Sequence, residues 1–332
     1  MPKLRIEPFD GRPLLDIGSF GRGGPGRDRL TNAQIAQISR TVHRAPGVMV
    51  KVLTRNSNDQ TSVRRHFGYL ARRGALDLET DDGDLVSGKD VGRRLVDDWD
   101  LELDASSGRL SVSERRQPQK LVHKLMFSMP AGTSPQAVLR AARDFLREEF
   151  ALKHRYVFVL HTDEPHPHVH AVIKAVSEEG ERLNIRKATL RRWRAEFARH
   201  LRAQGVAANA TERAVRGQVE GAKLDPIYRA MNRGRGESTF MEAKVRQIAH
   251  SMAIGKTTDE AGRDRLLATR RGIEHGWRTV ARQLTIEGHA VLADAARRFT
   301  ESMCAPRTDA ERMAAQIQTH LRRTRLLNRS PG

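Results

Sequence analysis

The chain has 332 residues, with 59 Lys and Arg against 40 Asp and Glu, a net charge of +19. No run approaches the roughly 18 apolar residues of a membrane span, and Met1 to Asp16 lacks the apolar core of a signal peptide, so neither a membrane-inserted nor a secreted protein is expected. The single cysteine, Cys304, argues against a disulfide framework or a multi-Cys zinc site and fits a reducing cytoplasm.

The first 30 residues are rich in Gly, Arg and Pro without periodicity and read as a flexible arm. Thr31 to His43 is predicted as a short helix stopped by Pro46, and Gly47 to Arg55 as a strand. Thr61 or Ser62 can cap a helix running to Arg73, with Gly74 as its stop. Leu76 to Leu85 is turn-rich and acidic, suited to a small hairpin, and Val91 to Trp99 to a short helix. A second strand is Leu121 to Met129. Thr133 or Ser134 then caps a helix with Pro135 in its first turn and a buried stripe of Val138, Ala142, Phe145 and Leu146. Strands follow at Arg155 to Asp163 and Pro167 to Val176, joined by a tight turn around Glu164-Pro165. Lys187 to Gln204 is a basic helix ending at Gly205.

Beyond about Thr211 the pattern is helical or loop-like. The predicted organisation is therefore an arm with a short helix (1–45), an α+β domain with a central sheet flanked by helices (46–210), and a mainly helical basic region (211–332). Residues 181–332 hold 31 Lys and Arg against 16 Asp and Glu. Arg grips phosphate through a planar fork, so this excess suggests a nucleic-acid partner, although a GC-rich genome inflates Arg without any function.

Four of the 13 histidines fall between His161 and His170, with Asp163 among them. Strand parity puts His161 and Asp163 on one face of the first strand, and His166, His168 and His170 on one face of the next. Adjacent antiparallel strands bring His161 opposite His168 and His170, a rigid three-imidazole metal site. Asp163 is placed to orient a ligand ring. His166, between prolines in the turn, is either an outer partner or solvent-exposed.

Of the three tyrosines, Tyr69 lies about 200° round its helix from Phe67 at about 100° per residue. That takes it off the Val63, Phe67, Leu70 stripe and onto a face with Arg65, His66, Arg72 and Arg73. It reads equally as a nucleophile or as an amphipathic surface tyrosine. Tyr156 points by parity away from His161, and Tyr228 lies in a loop-like stretch.

Three blocks together resemble the relaxases, the DNA-nicking nucleases of mobilisable elements, and most closely the type that nicks T-DNA borders. They are His66-Phe67-Gly68-Tyr69-Leu70-Ala71-Arg72-Arg73-Gly74, Met126-Phe127-Ser128-Met129-Pro130-Ala131-Gly132-Thr133, and the histidine run. The resemblance spans roughly Val48 to Gly205. It implies an HUH-type antiparallel sheet, a nucleophilic Tyr69, and a metal site at His161, His168 and His170. The family commonly has Asn four residues after the last histidine, where this chain has Lys174, a group suited to DNA phosphate.

The implied reaction is attack by Tyr69 on single-stranded DNA at an origin of transfer, giving a 5′-phosphotyrosyl adduct and a free 3′-hydroxyl. Three neutral imidazoles favour Mn or Zn over Mg, whereas the resemblance implies Mg or Mn. Arg65, Arg72 and Arg73 beside Tyr69, and Arg191, Arg192, Arg194 and Arg199 on the basic helix, are the expected phosphate contacts. The closing Arg-rich run, Leu321 to Arg329, reads as a DNA grip, as a recognition tail for a type IV secretion coupling protein, or as solvated charge. Accessory DNA-binding proteins are further expected partners. Two rival readings are a non-catalytic DNA-binding component of a transfer complex and a histidine-triad nucleotide hydrolase.

Overall fold

The computed structural model describes residues 29–53, 57–101, 119–218, 239–254 and 262–327. They form two compact units, Ala36–Thr211 and, with residues 29–35, the described residues from Glu212 onward. Most of the N-terminal arm and Tyr228 lie outside the described residues.

In the first unit, α1 (Asn32–Val42) contributes Ile38, Thr41 and Val42. The strands are β1 (Met49–Leu53), β2 (Leu78–Thr80), β3 (Leu85–Val86), β4 (Val122–Ser128), β5 (Tyr156–His161) and β6 (His168–Lys174). They make one sheet in the order β1-β4-β6-β5-β2-β3, with every neighbouring pair antiparallel. The acidic hairpin, β2 and β3, extends this sheet by pairing on β5.

Alternation along the strands makes two different faces. Val50, Leu125, Phe127, Tyr156, Phe158, Val169, Ala171 and Ile173 face one way. They are covered by α4 (Pro135–Phe150) and α5 (Lys187–Ala203) through Phe145, Phe150, Trp193 and Phe197. Val122, Val157, Val159 and Val172 face the other way. There α2 (Gln60–Leu70) and α3 (Val91–Asp98) bury Val63, Phe67, Leu70, Leu95 and, just past α3, Trp99. With a strand on each side and helices over both faces, β6 is buried along its whole length.

Ser134 caps α4 by accepting from the Ala137 amide, with Pro135 opening the helix. The cap of α2 is Asp59, whose carboxylate accepts from the Ser62 amide at 2.8 Å, rather than Thr61 or Ser62. This helix also stops at Leu70, short of Arg73. Arg72, Arg73 and Gly74 all adopt left-handed backbone, with φ of +50°, +61° and +95°. Gly74 packs so tightly on Gly88 that a Cβ there would lie 2.7 Å from the Gly88 carbonyl carbon. The β5–β6 connection takes six residues, 162–167, instead of a tight turn.

The second unit contains α6 (Thr239–Ala253), α7 (Arg263–Ile286), α8 (Ala290–Glu301) and α9 (Asp309–Leu327), and no strand among its described residues. Ile273, Trp277, Val280 and Leu284 of α7 are buried, as are Ala293, Ala296 and Phe299 of α8. Trp277 meets Phe299 edge-on with ring centroids 5.2 Å apart. No helix among the described residues is long and apolar enough to cross a membrane.

The helix pair that carries Tyr69 is closely seated. A Cβ on Gly92 of α3 would come within 2.4 Å of the Arg64 carbonyl oxygen on α2. Such overpacking typically costs about 1–3 kcal/mol, and Ala recovers only ~1 kcal/mol of helix propensity over Gly. Gly92→Ala is expected to lower the urea midpoint of unfolding and to push α2 off the sheet. A midpoint equal to or above that of the unsubstituted protein would show that α2 and α3 adjust freely.

Candidate active site

Antiparallel register assembles the histidines. His161, at the end of β5, pairs directly with His168 on β6, and Val159 pairs with His170. Ring centroids lie 5.5 Å apart for His161 and His168, 4.9 Å for His161 and His170, and 5.1 Å for His168 and His170. One nitrogen from each ring lies within 4.8 Å of the other two, and all three residues are buried. Among the described residues no other group of three His, Cys, Asp or Glu converges in this way.

The surroundings favour the neutral form of His161 and His170 and aim the rings. Burial first, then the neighbouring His161, His168, His66 and Arg72, pushes the His170 pKa down to about 3. Burial likewise lowers that of His161. His168 donates from Nδ1 to the His166 carbonyl at 2.9 Å, which leaves Nε2 as its lone pair. His161 donates from Nε2 to the Leu70 carbonyl at 2.9 Å, which leaves Nδ1. The Nδ1 of His170 is buried without a hydrogen-bond partner among the described residues, an arrangement native interiors rarely leave standing. Three buried imidazoles whose nitrogens converge are a donor set that fits a divalent ion.

Tyr69 sits beside this cluster. It lies in the last turn of α2, 54% exposed, with its ring edge-on to His161 at 6.5 Å. His66, one turn earlier, stacks on it with centroids 6.1 Å apart and planes 16° apart. The Arg72 guanidinium lies 4.9 Å from the ring centroid. Its Nη2 also donates to Asp163 Oδ2 at 2.5 Å and to His161 Nδ1 at 3.2 Å. Arg72 and Arg73 hold a backbone that arginine seldom adopts, the kind of strain that collects at functional sites.

Residues 98–206 match the family model described as "Relaxase: MobA/VirD2-like, nuclease domain". Over that segment the chain is similar to MobA/VirD2-like relaxase nuclease domains. It is also similar to proteins named T-DNA border endonuclease VirD2. That of Rhizobium radiobacter is 30% identical over 192 residues, 52% of this chain and 43% of the relative. That of Agrobacterium fabrum is 29% identical over 198 residues, 54% of this chain and 42% of the relative. The chain thus spans less than half the length of these relatives. The matched segment contains β4 to β6 and all three histidines, whereas α2 and Tyr69 precede it.

Within the first unit the remaining predicted residues separate into those near this cluster and those away from it. Asp163 accepts from the Arg72 guanidinium, which also donates to His161. Arg65 and Arg73 are exposed around Tyr69. Lys174 shares the histidine face of β6 but stands four residues past His170, about 13 Å along a strand, with Nζ 3.9 Å from Glu178. Helix α5, with Arg191, Arg192, Arg194 and Arg199, covers the opposite face of the sheet. Arg192 is paired with Glu149, and Arg199 with Glu148 and Glu196. Tyr156 is buried on that opposite face, where desolvation pushes its pKa up to about 12.

Two neighbours of the site were not singled out as site residues by sequence reasoning. Lys124 of β4 is buried across from Val172, on the histidine side. Behind burial itself, its charge is the next cause that lowers the His66 pKa to about 4. His66 was legible as the residue one helical turn before Tyr69, and Lys124 by parity once β4 is paired with β6. His166 lies at the rim, where Nδ1 accepts from the Ala131 amide at 2.9 Å. Its contribution to His168 is made by its backbone carbonyl.

Replacing His161, His168 or His170 by Ala is expected to weaken Mn2+ binding at least about tenfold, the effect seen even for outer partners of metal ligands. His166→Ala keeps the carbonyl that holds His168 and should weaken binding far less. Calorimetric titration of the folded variants measures both. Equal affinities across all four would remove the metal assignment.

Proposed function

We propose that this chain nicks single-stranded DNA at an origin of transfer and rejoins it through a covalent link to Tyr69. The observation that carries this reading is an exposed tyrosine with its ring 6.5 Å from a three-histidine cluster. The match to a relaxase nuclease domain supports it. The T-DNA border endonucleases that the chain resembles are named for a related cut.

In the proposed reaction the Tyr69 oxygen attacks the scissile phosphorus. The new bond joins the phenol oxygen to phosphorus, and the bond from phosphorus to the 3′-oxygen breaks. The phenol proton leaves and the departing 3′-oxygen gains one, so the products are a 5′-phosphotyrosyl adduct and a 3′-hydroxyl. A divalent ion held by His161, His168 and His170, with Mg, Mn and Zn as the possible identities, would polarise phosphate oxygens and stabilise the charge that builds on them. Arg72, 4.9 Å from the ring centroid, packs its guanidinium on the Tyr69 ring and stands where it can meet a substrate phosphate. Asp163 holds that guanidinium in place. One phosphodiester is exchanged for another, so reversal by the 3′-hydroxyl rejoins the strand without ATP. In this reading accessory DNA-binding proteins and a type IV secretion coupling protein act around the nicked strand.

Incubation with a labelled single-stranded oligonucleotide tests the covalent step. Tyr69→Phe should abolish the protein-linked band on a denaturing gel, while Tyr156→Phe and Tyr228→Phe retain it. Cleavage by Tyr69→Phe with free 5′ ends would mean that water, not the tyrosine, is the nucleophile.

The charged residues divide by face in the same reading. Arg65, Arg72, Arg73 and Lys174 are proposed to meet phosphates on the histidine side, and any contact by the α5 arginines lies outside the cleavage site. Arg73→Ala should shift the salt dependence of single-strand affinity by about 0.7 in log–log slope, the value for one lost contact. Arg192→Ala breaks the Glu149 pair and should lower stability with the slope unchanged. A changed slope for Arg192→Ala and none for Arg73→Ala would place the strand on α5.

A further inference from the structure

His161 has two ring nitrogens, and its surroundings engage both. The Leu70 carbonyl can only accept, so Nε2 carries the proton and Nδ1 the lone pair. Arg72 Nη2 points at that lone pair from 3.2 Å. An N–H donor and a metal ion cannot use one lone pair at the same time.

We propose that Arg72 is a placeholder cation, holding the ligand nitrogen of His161 in the metal-free domain, so that metal loading and the Arg72–His161 hydrogen bond exclude each other. The proposal rests on the reading that His161, His168 and His170 hold a divalent ion. The geometry lets the arginine yield without being lost from the site. Its side chain is 30% exposed, and Asp163, 55% exposed, accepts from the same Nη2 at 2.5 Å. Arg72 can withdraw from His161 while it stays on Asp163 and beside Tyr69. Five donors on the guanidinium then leave several for a substrate phosphate. In the metal-free domain the same contact places a donor on a buried lone pair that would otherwise lack one.

The alternative role for a donor at this point is to orient the ring for the metal, and the two roles predict opposite signs. An outer partner that orients a ligand strengthens metal binding, and its removal weakens it. A placeholder competes, and its removal tightens binding, by about tenfold if it occupies the nitrogen about nine-tenths of the time. Loss of a nearby positive charge also favours a cation, so salt separates the effects. At about 1 M salt the Debye length is only about 3 Å and simple repulsion is screened.

The experiment is calorimetric titration of metal-stripped full-length chain with Mn2+, at low and high salt, for the unsubstituted protein, Arg72→Ala and Arg73→Ala. Arg72→Met, which keeps the stem and removes the donors, serves if Arg72→Ala lowers the melting temperature. The expected result is tighter binding by the Arg72 variants that persists at high salt, while any gain in Arg73→Ala disappears there. Equal or weaker binding by the Arg72 variants at high salt overturns the proposal, as does an equal gain in Arg73→Ala. Mn2+ binding that His170→Ala leaves intact overturns the metal reading, and the placeholder with it.

Discussion

The pairing of β5 with β6 is the constraint on which the site depends. Because the register places His161 against His168 and the pleat puts His170 on the same face, three imidazoles meet without help from any loop. A slip of one residue would turn His168 and His170 into the α4–α5 core and bring Val169 and Ala171 to the site. The hydrophobic pattern forbids that slip. Val169, Ala171 and Ile173 fill one core and Val172 the other, so the register that satisfies packing is the one that assembles the cluster.

The second element of the site is brought by packing rather than pairing. Val63, Phe67 and Leu70 seat α2 on the sheet, and Phe67 meets Trp99 edge-on at 5.4 Å. Burial of that stripe leaves Tyr69 on the outer flank, and the Leu70 carbonyl locks the helix end to His161. The tyrosine is therefore tied to the histidines through the backbone of its own neighbour. The left-handed turn that follows is held from the far side by Gly74 against Gly88. A structure that imposes an unfavourable backbone on two successive arginines fixes where their side chains begin.

Much of this was legible in the sequence. Period-2 alternation gave the strands, their parity gave the shared faces of His161, His168 and His170, and Ser134-Pro135 marked the start of α4. Two kinds of information were missing. Helix pattern alone extended α2 to Arg73, because nothing in a local window reports that Gly74 must approach Gly88, fourteen residues away. Charge alone also proposed Arg191, Arg192, Arg194 and Arg199 on α5 as phosphate contacts. It cannot see that Glu148 and Glu149, a full helix earlier, receive Arg199 and Arg192 across the α4–α5 interface. The setting of Asp163 has a similar origin: parity put it near His161, and the connection after β5 places its carboxylate on Arg72.

The electrostatic character of the site follows from its choice of donors. A divalent ion bound by carboxylates has its charge largely cancelled, whereas three neutral imidazoles leave it whole. Around the histidines of this domain the further charges are also mainly positive. Lys124 lies buried on the neighbouring strand and Arg72 lies across His161, with the Asp163 carboxylate on Arg72. Such a site would be costly with protonated rings, because cations already crowd them. Desolvation resolves that conflict by keeping His66 and His170 neutral. What remains is a region whose charge suits an anion.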